Sequence, residues 1–341
     1  MNDFFRATRD FLLDYLPRQR CFSQNTVRSY RQALNLFVHY LREQRGMAVS
    51  DLCFDLIDRD SILGFLDWLE DTRKCSCSTR NQRLMALRSF FRYAGQFDCA
   101  QMATYLTAQS IPAKPHEICP VGFLSESALA ALLQQPVLSS SSGLRNLVFM
   151  ILMYDTAARC SELTNMKICD LKLQNPYPIA YLHGKGNKTR TVPLLPKTVQ
   201  HCEQYLKKYH PHERADSRKP LFYTVIHGQT QPMSTDTVEV FVKKYGLKAR
   251  AICPEIPERV HPHMLRHTRA MHLYRQGMPM MLLSEYLGHA NVETTKIYAY
   301  ADTEMKRAYL SKVDAKSLVE PSAAPIWVND EEMILKLSGL R

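Results

Sequence analysis

The sequence predicts a mainly α protein of two domains, the second carrying a small β-hairpin or sheet. Three observations predict this. Apolar residues recur at helical spacing along most of the 341 residues. A proline-rich stretch without periodicity, IPAKPHEICPVG, interrupts them at 111–122. Runs with strand character occur at one place, Ile179–Leu182 and Thr189–Leu194, around a turn rich in Gly and Asn.

The elements follow in order. Ser23 or Asn25 is placed to cap a helix with Val27, Tyr30, Leu34, Phe37, Val38 and Leu41 on one stripe and Arg28, Arg31 and Arg42 off it. Ile62, Phe65, Leu66 and Leu69 make a second stripe. Leu84, Leu87, Phe90 and Phe91 make a third, with Ser78 or Thr79 as its cap and Arg80, Arg83, Arg88 and Arg92 flanking it. Arginines on two helices can lie along phosphates, or they can form a solvated basic face. Residues 1–110 therefore read as a helical domain and 111–122 as an extended linker. Ser125 then caps a helix over Glu126–Gln135, and Leu144–Tyr154 reads as a buried helix. Thr198–Tyr209, Thr235–Arg250, His263–Gln276, Met280–Leu287 and Thr303–Val313 are helical by period, closing a second domain at 123–313. The tail, 314–341, holds a small-residue linker at Glu320–Pro325 and a short helix at Glu331–Leu337. The apolar Met333, Ile334, Leu335 and Leu337 of that helix need a groove to sit in.

Charge narrows the function. Lys and Arg number 44 against 33 Asp and Glu, a net charge of +11. Residues 1–110 carry 15 basic and 12 acidic side chains and the remainder 29 and 21, so most of the excess lies after the linker. A basic surface attracts polyanions, nucleic acid first. No run of 18 apolar residues exists, and Met1–Arg9 has no signal-peptide core, which predicts a soluble, cytoplasmic protein without a membrane partner. The ten cysteines sit mostly in apolar segments as free thiols. Cys75-Ser76-Cys77 lacks the further ligands structural zinc needs, and neither a metal nor another cofactor is expected.

Five local features can carry chemistry. Arg159 stands at the start of a helix with Glu162 three residues on. Lys185 lies at the Gly-flanked tip of the hairpin, with Lys188 and Arg190 beside it. His263 and Arg266 share one helix face. His289 follows a helix-ending Gly288. Tyr298 lies nine residues further. Together they match the demands of breaking a phosphodiester. Two guanidinium forks hold the non-bridging oxygens and stabilise charge growing on them. A phenol with pKa near 10 is a nucleophile once a neighbour takes its proton. Histidine can take that proton, and a mobile lysine can supply one to the leaving oxygen.

The motif texts TAARCSELTNM, HGKGNKTRTVPL, HPHMLRHTRA and LGHANVETTKIY, in this order, resemble the catalytic domain of tyrosine recombinases of the phage-integrase family. NTVRSYRQALNLFVHY and TRNQRLMALRSFFRY resemble that family's helical, SAM-like core-binding domain. The resemblance implies a mixed α/β catalytic domain and a C-shaped clamp on duplex DNA. It implies that Arg159 and Arg266 bind the scissile phosphate and that His289 hydrogen-bonds it. Lys185 would be the general acid, His263 would assist proton transfer, and Tyr298 would form a 3′-phosphotyrosyl link. Glu162 would orient the first arginine or a neighbouring histidine, while Arg28, Arg80, Arg83, Arg88, Lys188 and Arg190 would contact DNA or be solvated. His261 and His267 read as supporting or capping groups. Two departures stand out: Ala157-Ala158 replaces the family's usual Gly-Leu, and Tyr300 is a second tyrosine. The resemblance also implies a simple Xer-like or transposon-borne type without an arm-binding domain. Such a recombinase would exchange inverted-repeat core sites as a homotetramer joined through its C-terminal tail. A second recombinase or accessory protein could join it. Resolution of chromosome or plasmid dimers, nicking and religation of the type IB topoisomerase kind, and an architectural DNA-binding role are the alternatives.

Overall fold

The computed structural model describes residues 2–98, 101–115, 121–184, 188–289, 291–301 and 330–340. The chain divides into two compact units, Met1–Ile118 and Cys119–Arg341. The mainly helical architecture with small antiparallel sheets is the one the sequence predicts.

The first unit holds α1 (Asp3–Asp10), which runs on through a wider π-type helix at Phe11–Gln19, then α2 (Gln24–Arg45), α3 (Arg59–Asp71), α4 (Cys77–Gly95) and α5 (Met102–Ser110). Side-chain caps set the starts. Ser23 accepts from the Thr26 amide and Asp58 from the Ser61 amide at 2.7 Å. The cap of α4 is Ser76, which accepts from the Thr79 amide, so the helix starts earlier than the expected Ser78 or Thr79. The segment before Ser23, without an assigned element in the sequence reading, is helical because Phe4, Phe11 and Leu16 are buried in the unit's core. Phe11 meets Phe90 at 5.4 Å and Phe37 meets Phe65 at 5.2 Å, both edge-on, the favoured geometry of aromatic pairs.

The second unit begins with α6 (Glu126–Leu133), capped by Ser125, and the buried α7 (Gly143–Asp155). After α8 (Cys160–Thr164) come β1 (Leu171–Lys172), β2 (Ile179–His183) and β3 (Thr189–Pro193), an antiparallel sheet in that order, with Ala180 opposite Val192 and Leu182 opposite Arg190. Then follow α9 (Pro196–Tyr209), a hairpin of β4 (Tyr223–Ile226) and β5 (Gln229–Pro232), α10 (Thr235–Arg250), α11 (Pro262–Arg275), α12 (Met280–Leu287), α13 (Lys296–Ala301) and α14 (Glu331–Leu337). The sequence reading found strands only around 179–194. It missed β4–β5 because that hairpin is largely exposed and shows no period-two apolar pattern. The core forms around Phe149, whose ring meets Phe222 at 4.9 Å and Phe241 at 5.9 Å. A smaller apolar cluster of Ala157, Ala270, Met271, Leu283, Leu287 and Tyr298 ties α11, α12 and α13 together. The residues of α14 have no buried side chain. The expected helix at Thr303–Val313 and linker at Glu320–Pro325 lie outside the described residues. Among the described residues, no helix is long and apolar enough to cross a membrane.

Candidate active site

Past the end of α7, Thr156 leads into Ala157, whose φ of 46° is left-handed, a conformation costly for a residue with a Cβ. This turn puts Arg159 at the N-cap of α8. Three residues on, Glu162 faces back: its Oε2 accepts from the Arg159 amide and its Oε1 from Arg159 Nη1, both at 2.8 Å. The second Nη of Arg159 reaches the Gly288 carbonyl at 3.3 Å. From α11, Arg266 is buried, 3% exposed, and its two Nη groups donate to the carbonyls of Ala157 and Leu287. Both arginines are thus tethered to backbone where α7 and α12 end, and Gly288, at φ 63°, turns the chain there.

His263, one turn before Arg266, stacks near His267 with ring centroids 5.9 Å apart. His289 is held by Thr295 Oγ1 at 2.8 Å from Nδ1. Tyr298 from α13 is 1% exposed, and its hydroxyl lies 2.9 Å from His267 Nδ1. Arg159, His263, Arg266, His267, His289 and Tyr298 line one cavity of about 400 Å³. Five of the six residues expected to be catalytic therefore meet. The sixth, Lys185, lies outside the described residues, as does the side chain of Tyr300.

The electrostatics follow from burial among cations. Burial, then Arg159 and Arg190, pull Arg266 down to about 10, so it still carries its charge at neutral pH. Burial and the neighbouring His263 and Arg266 pull His267 down to about 4, and burial with Arg266, Arg159 and Arg190 does the same to His289. His263 is lowered by burial and Arg266. All three imidazoles are neutral at pH 7. Burial raises the Tyr298 phenol, partly offset by Arg266 and Arg159, so it keeps its proton until something accepts it. Burial alone would raise Glu162, yet hydrogen bonds and charge from Arg190, with the bonds from Arg159, hold it below the usual carboxylate range. The set can bind a dianionic phosphorus centre, hold a phenol beside a proton acceptor and offer imidazole donors around it.

The structure gives several of these residues surroundings that the sequence did not indicate. His267, read as a supporting group, is the histidine bonded to the Tyr298 hydroxyl; His263 is not. Its adjacency to Arg266 in the HMLRH text was the available signal. Arg190, expected on DNA or in solvent, forks onto both oxygens of Glu162 at 2.9 and 3.0 Å. In the first unit, Arg80 and Arg83 are 6% and 8% exposed. Arg80 faces Glu70 and bonds Asn81, while Arg83 donates to the Ser29 carbonyl and Gln32. Arg88 binds the carbonyls of Ala108, Gln109 and Ile111 at the end of α5. These three guanidiniums bind the unit's own acceptors, Arg80 and Arg83 from buried positions and Arg88 from a half-buried one. Arg28 and Lys188 are exposed and remain available to a polyanion.

Comparison with known proteins gives a consistent picture. The family model described as Phage integrase family matches residues 123–305, and that of the phage integrase N-terminal SAM-like domain matches 10–96. The integrase/recombinase y4rC of Sinorhizobium fredii is 33% identical over 308 residues, covering 90% of each chain. Tyrosine recombinase XerD of Listeria innocua is 31% identical over 309 residues, 88% of this chain and 94% of the relative. Among solved structures, XerH recombinase bound to a palindromic difH substrate superposes with TM-score 0.65 at 21% identity, over 86% of this chain and 82% of that one. The Tn1549 transposon integrase in complex with transposon right-end DNA gives 0.67 at 16% identity, over 90% and 98%. At these identities the two structural likenesses are of fold.

Proposed function

The chain belongs to the phage integrase family of tyrosine recombinases, which cleave and rejoin DNA site-specifically, and from that premise we propose that it cuts duplex DNA through a 3′-phosphotyrosyl intermediate on Tyr298. The observation that carries this reading is the single cavity in which Arg159, Arg266, His263, His289 and Tyr298 converge. Arg159 and Arg266 hold the non-bridging oxygens of the scissile phosphate and stabilise the charge that develops there. His267, neutral and 2.9 Å from the hydroxyl, takes the phenol's proton as the oxygen attacks phosphorus. His263 and His289 donate to the phosphate, and Lys185 protonates the leaving 5′-oxygen. The bond to the 3′-phosphate passes to the tyrosine, so its energy is retained and religation runs without ATP.

Two such cleavages on paired duplexes, followed by strand exchange, give a Holliday junction. Four copies of the chain would carry this out, with the apolar face of α14, Met333–Leu337, docking on a neighbouring copy. DNA would run across the exposed Arg28 and Lys188 surfaces and the cavity. The substrate element is a mobile one, a reading supported by the integrase/recombinase relative. Resolution of chromosome or plasmid dimers is the second reading, favoured by the similarity to XerD. The test uses a duplex that the full chain selects from a randomised pool, nicked so that the cleaved end diffuses away. The wild-type chain accumulates a covalent adduct on it and Tyr298→Phe does not. An adduct of undiminished yield with Tyr298→Phe overturns the assignment.

A further inference from the structure

Glu162 is the acidic group against the phosphate-binding arginines, with a side chain 2% exposed. Left to itself, a buried carboxylate 2.8 Å from Arg159 would be a trap: a guanidinium fork fits a carboxylate as well as it fits a phosphate. Arg190, on β3 and 13% exposed, occupies both carboxylate oxygens through its two Nη groups. Its Nε donates to the Tyr286 carbonyl at 3.1 Å, near the end of α12. Among the described residues, the Arg159 guanidinium bonds Glu162 through one Nη and the Gly288 carbonyl through the other, and no further acceptor. Arg190 itself does not line the cavity.

Resting on the reading above, we propose that Arg190 is a positioning residue: by claiming both oxygens of Glu162 in a fork, it keeps Arg159 turned toward the scissile phosphate. The same contact seats neighbouring backbone. A Cβ built on Gly288 would stand 3.0 Å from Arg190 Nη1, and one on Gly184, which leads to Lys185, 3.3 Å from Glu162 Oε1. The local balance also depends on it. Arg159, Arg266 and Arg190 against the Glu162 carboxylate leave an excess of two positive charges, and without Arg190 the excess halves, with the carboxylate facing Arg159 alone.

The experiment measures adduct formation by the full chain on the selected nicked duplex, with either a phosphodiester or a neutral methylphosphonate at the cleavage position. Arg190→Ala should slow the phosphodiester by about 10- to 100-fold, less than or comparable to losing an oxyanion donor outright. It should slow the methylphosphonate by only about 3-fold or less, because no non-bridging charge then needs Arg159. Adding Glu162→Gln to Arg190→Ala should recover about 5-fold or more on the phosphodiester, since the freed carboxylate is the cause of the loss. Arg190→Lys, which keeps the charge but not the fork, should fall between wild type and Arg190→Ala with the same substrate preference, and it carries the test if the alanine variant does not fold. Equal slowing on both substrates, or no recovery with Glu162→Gln, would show a merely structural role and overturn the proposal. Tyr298→Phe separates the two levels. If it is inactive while Arg190→Ala matches wild type, this inference fails and the function stands. If Tyr298→Phe still forms the adduct, the function reading itself fails.

Discussion

At the residue scale, the chemistry turns on protons that burial controls. The Tyr298 phenol and His267 share one hydrogen bond, and burial among cations keeps His267 neutral down to about pH 4. A proton acceptor works only in its unprotonated form. The adduct-forming rate of the wild type should therefore stay level from pH 8 down to about 5 and fall only as pH approaches the lowered value, whereas an acceptor of ordinary pKa near 6.5 would already lose rate at pH 6. A pH profile of single-turnover cleavage checks this, and a midpoint near 6.5 would point to another group. Ala157 offers a second prediction. Its left-handed φ of 46° carries the turn that delivers a carbonyl to Arg266, at a position where the family's usual residue is glycine. Ala157→Gly should relieve this strain and raise stability by about 0.5–1 kcal/mol net of the entropy glycine adds. Urea unfolding measures it. The sequence made Arg159, Arg266, His263, His289 and Tyr298 legible because each sits in a short motif with its own local text. It could not pair His267 with Tyr298, or Arg190 with Glu162, since partners 31 and 28 residues apart meet only through tertiary packing.

At the scale of elements, helical period tells which side of a helix a residue occupies but not what covers that side. Arg80, Arg83 and Arg88 lie on α4 among apolar stripes, and the spacing alone was compatible with a phosphate-facing row. Packing engages all three: α2 supplies acceptors to Arg83 and the end of α5 to Arg88, while Arg80 faces Glu70 and bonds Asn81. The cap of α4 was legible to within two or three residues because serine and threonine cluster at its start, and only backbone geometry selects Ser76. This distinction has a measurable consequence. Arg28→Ala, an exposed side chain on α2, should reduce the slope of log affinity for duplex DNA against log salt by about one. Arg83→Ala should leave that slope unchanged and lower the first unit's stability by about 1–3 kcal/mol, through stranded acceptors and lost packing. A salt titration of binding beside denaturant unfolding separates the two, and a slope change with Arg83→Ala would restore it to the DNA face.

At the scale of the whole molecule, the second unit concentrates histidines whose protonation burial resists. His210, His263, His267, His272 and His289 are all lowered from the ordinary 6.5, burial being the first cause in each. The unfolded chain binds protons at these side chains near pH 6.5 while the folded one does not. Their contribution to stability is thus fully present above about pH 6.5 and is lost as pH falls through each lowered value, about 4 for His267 and His289. The thermal midpoint should drop by several degrees between pH 7 and pH 5; a midpoint independent of pH over that range would mean these imidazoles are as accessible folded as unfolded. The same burial strengthens the field of Arg266, 3% exposed, more than that of Arg159, whose side chain is 36% exposed. The mainly helical class was legible from periodicity. The β4–β5 hairpin was not, because exposed strands leave no apolar rhythm to read.

The central claim is that one cavity presents a phosphorus atom to the hydroxyl of Tyr298. The most direct measurement is to trap the adduct on the nicked duplex, digest the protein and locate the nucleotide by mass spectrometry. The account predicts a phosphonucleotide on the peptide spanning Ile297–Tyr300, fragmenting to place it on Tyr298. Attachment to Tyr300, or to a residue outside α13, would contradict it.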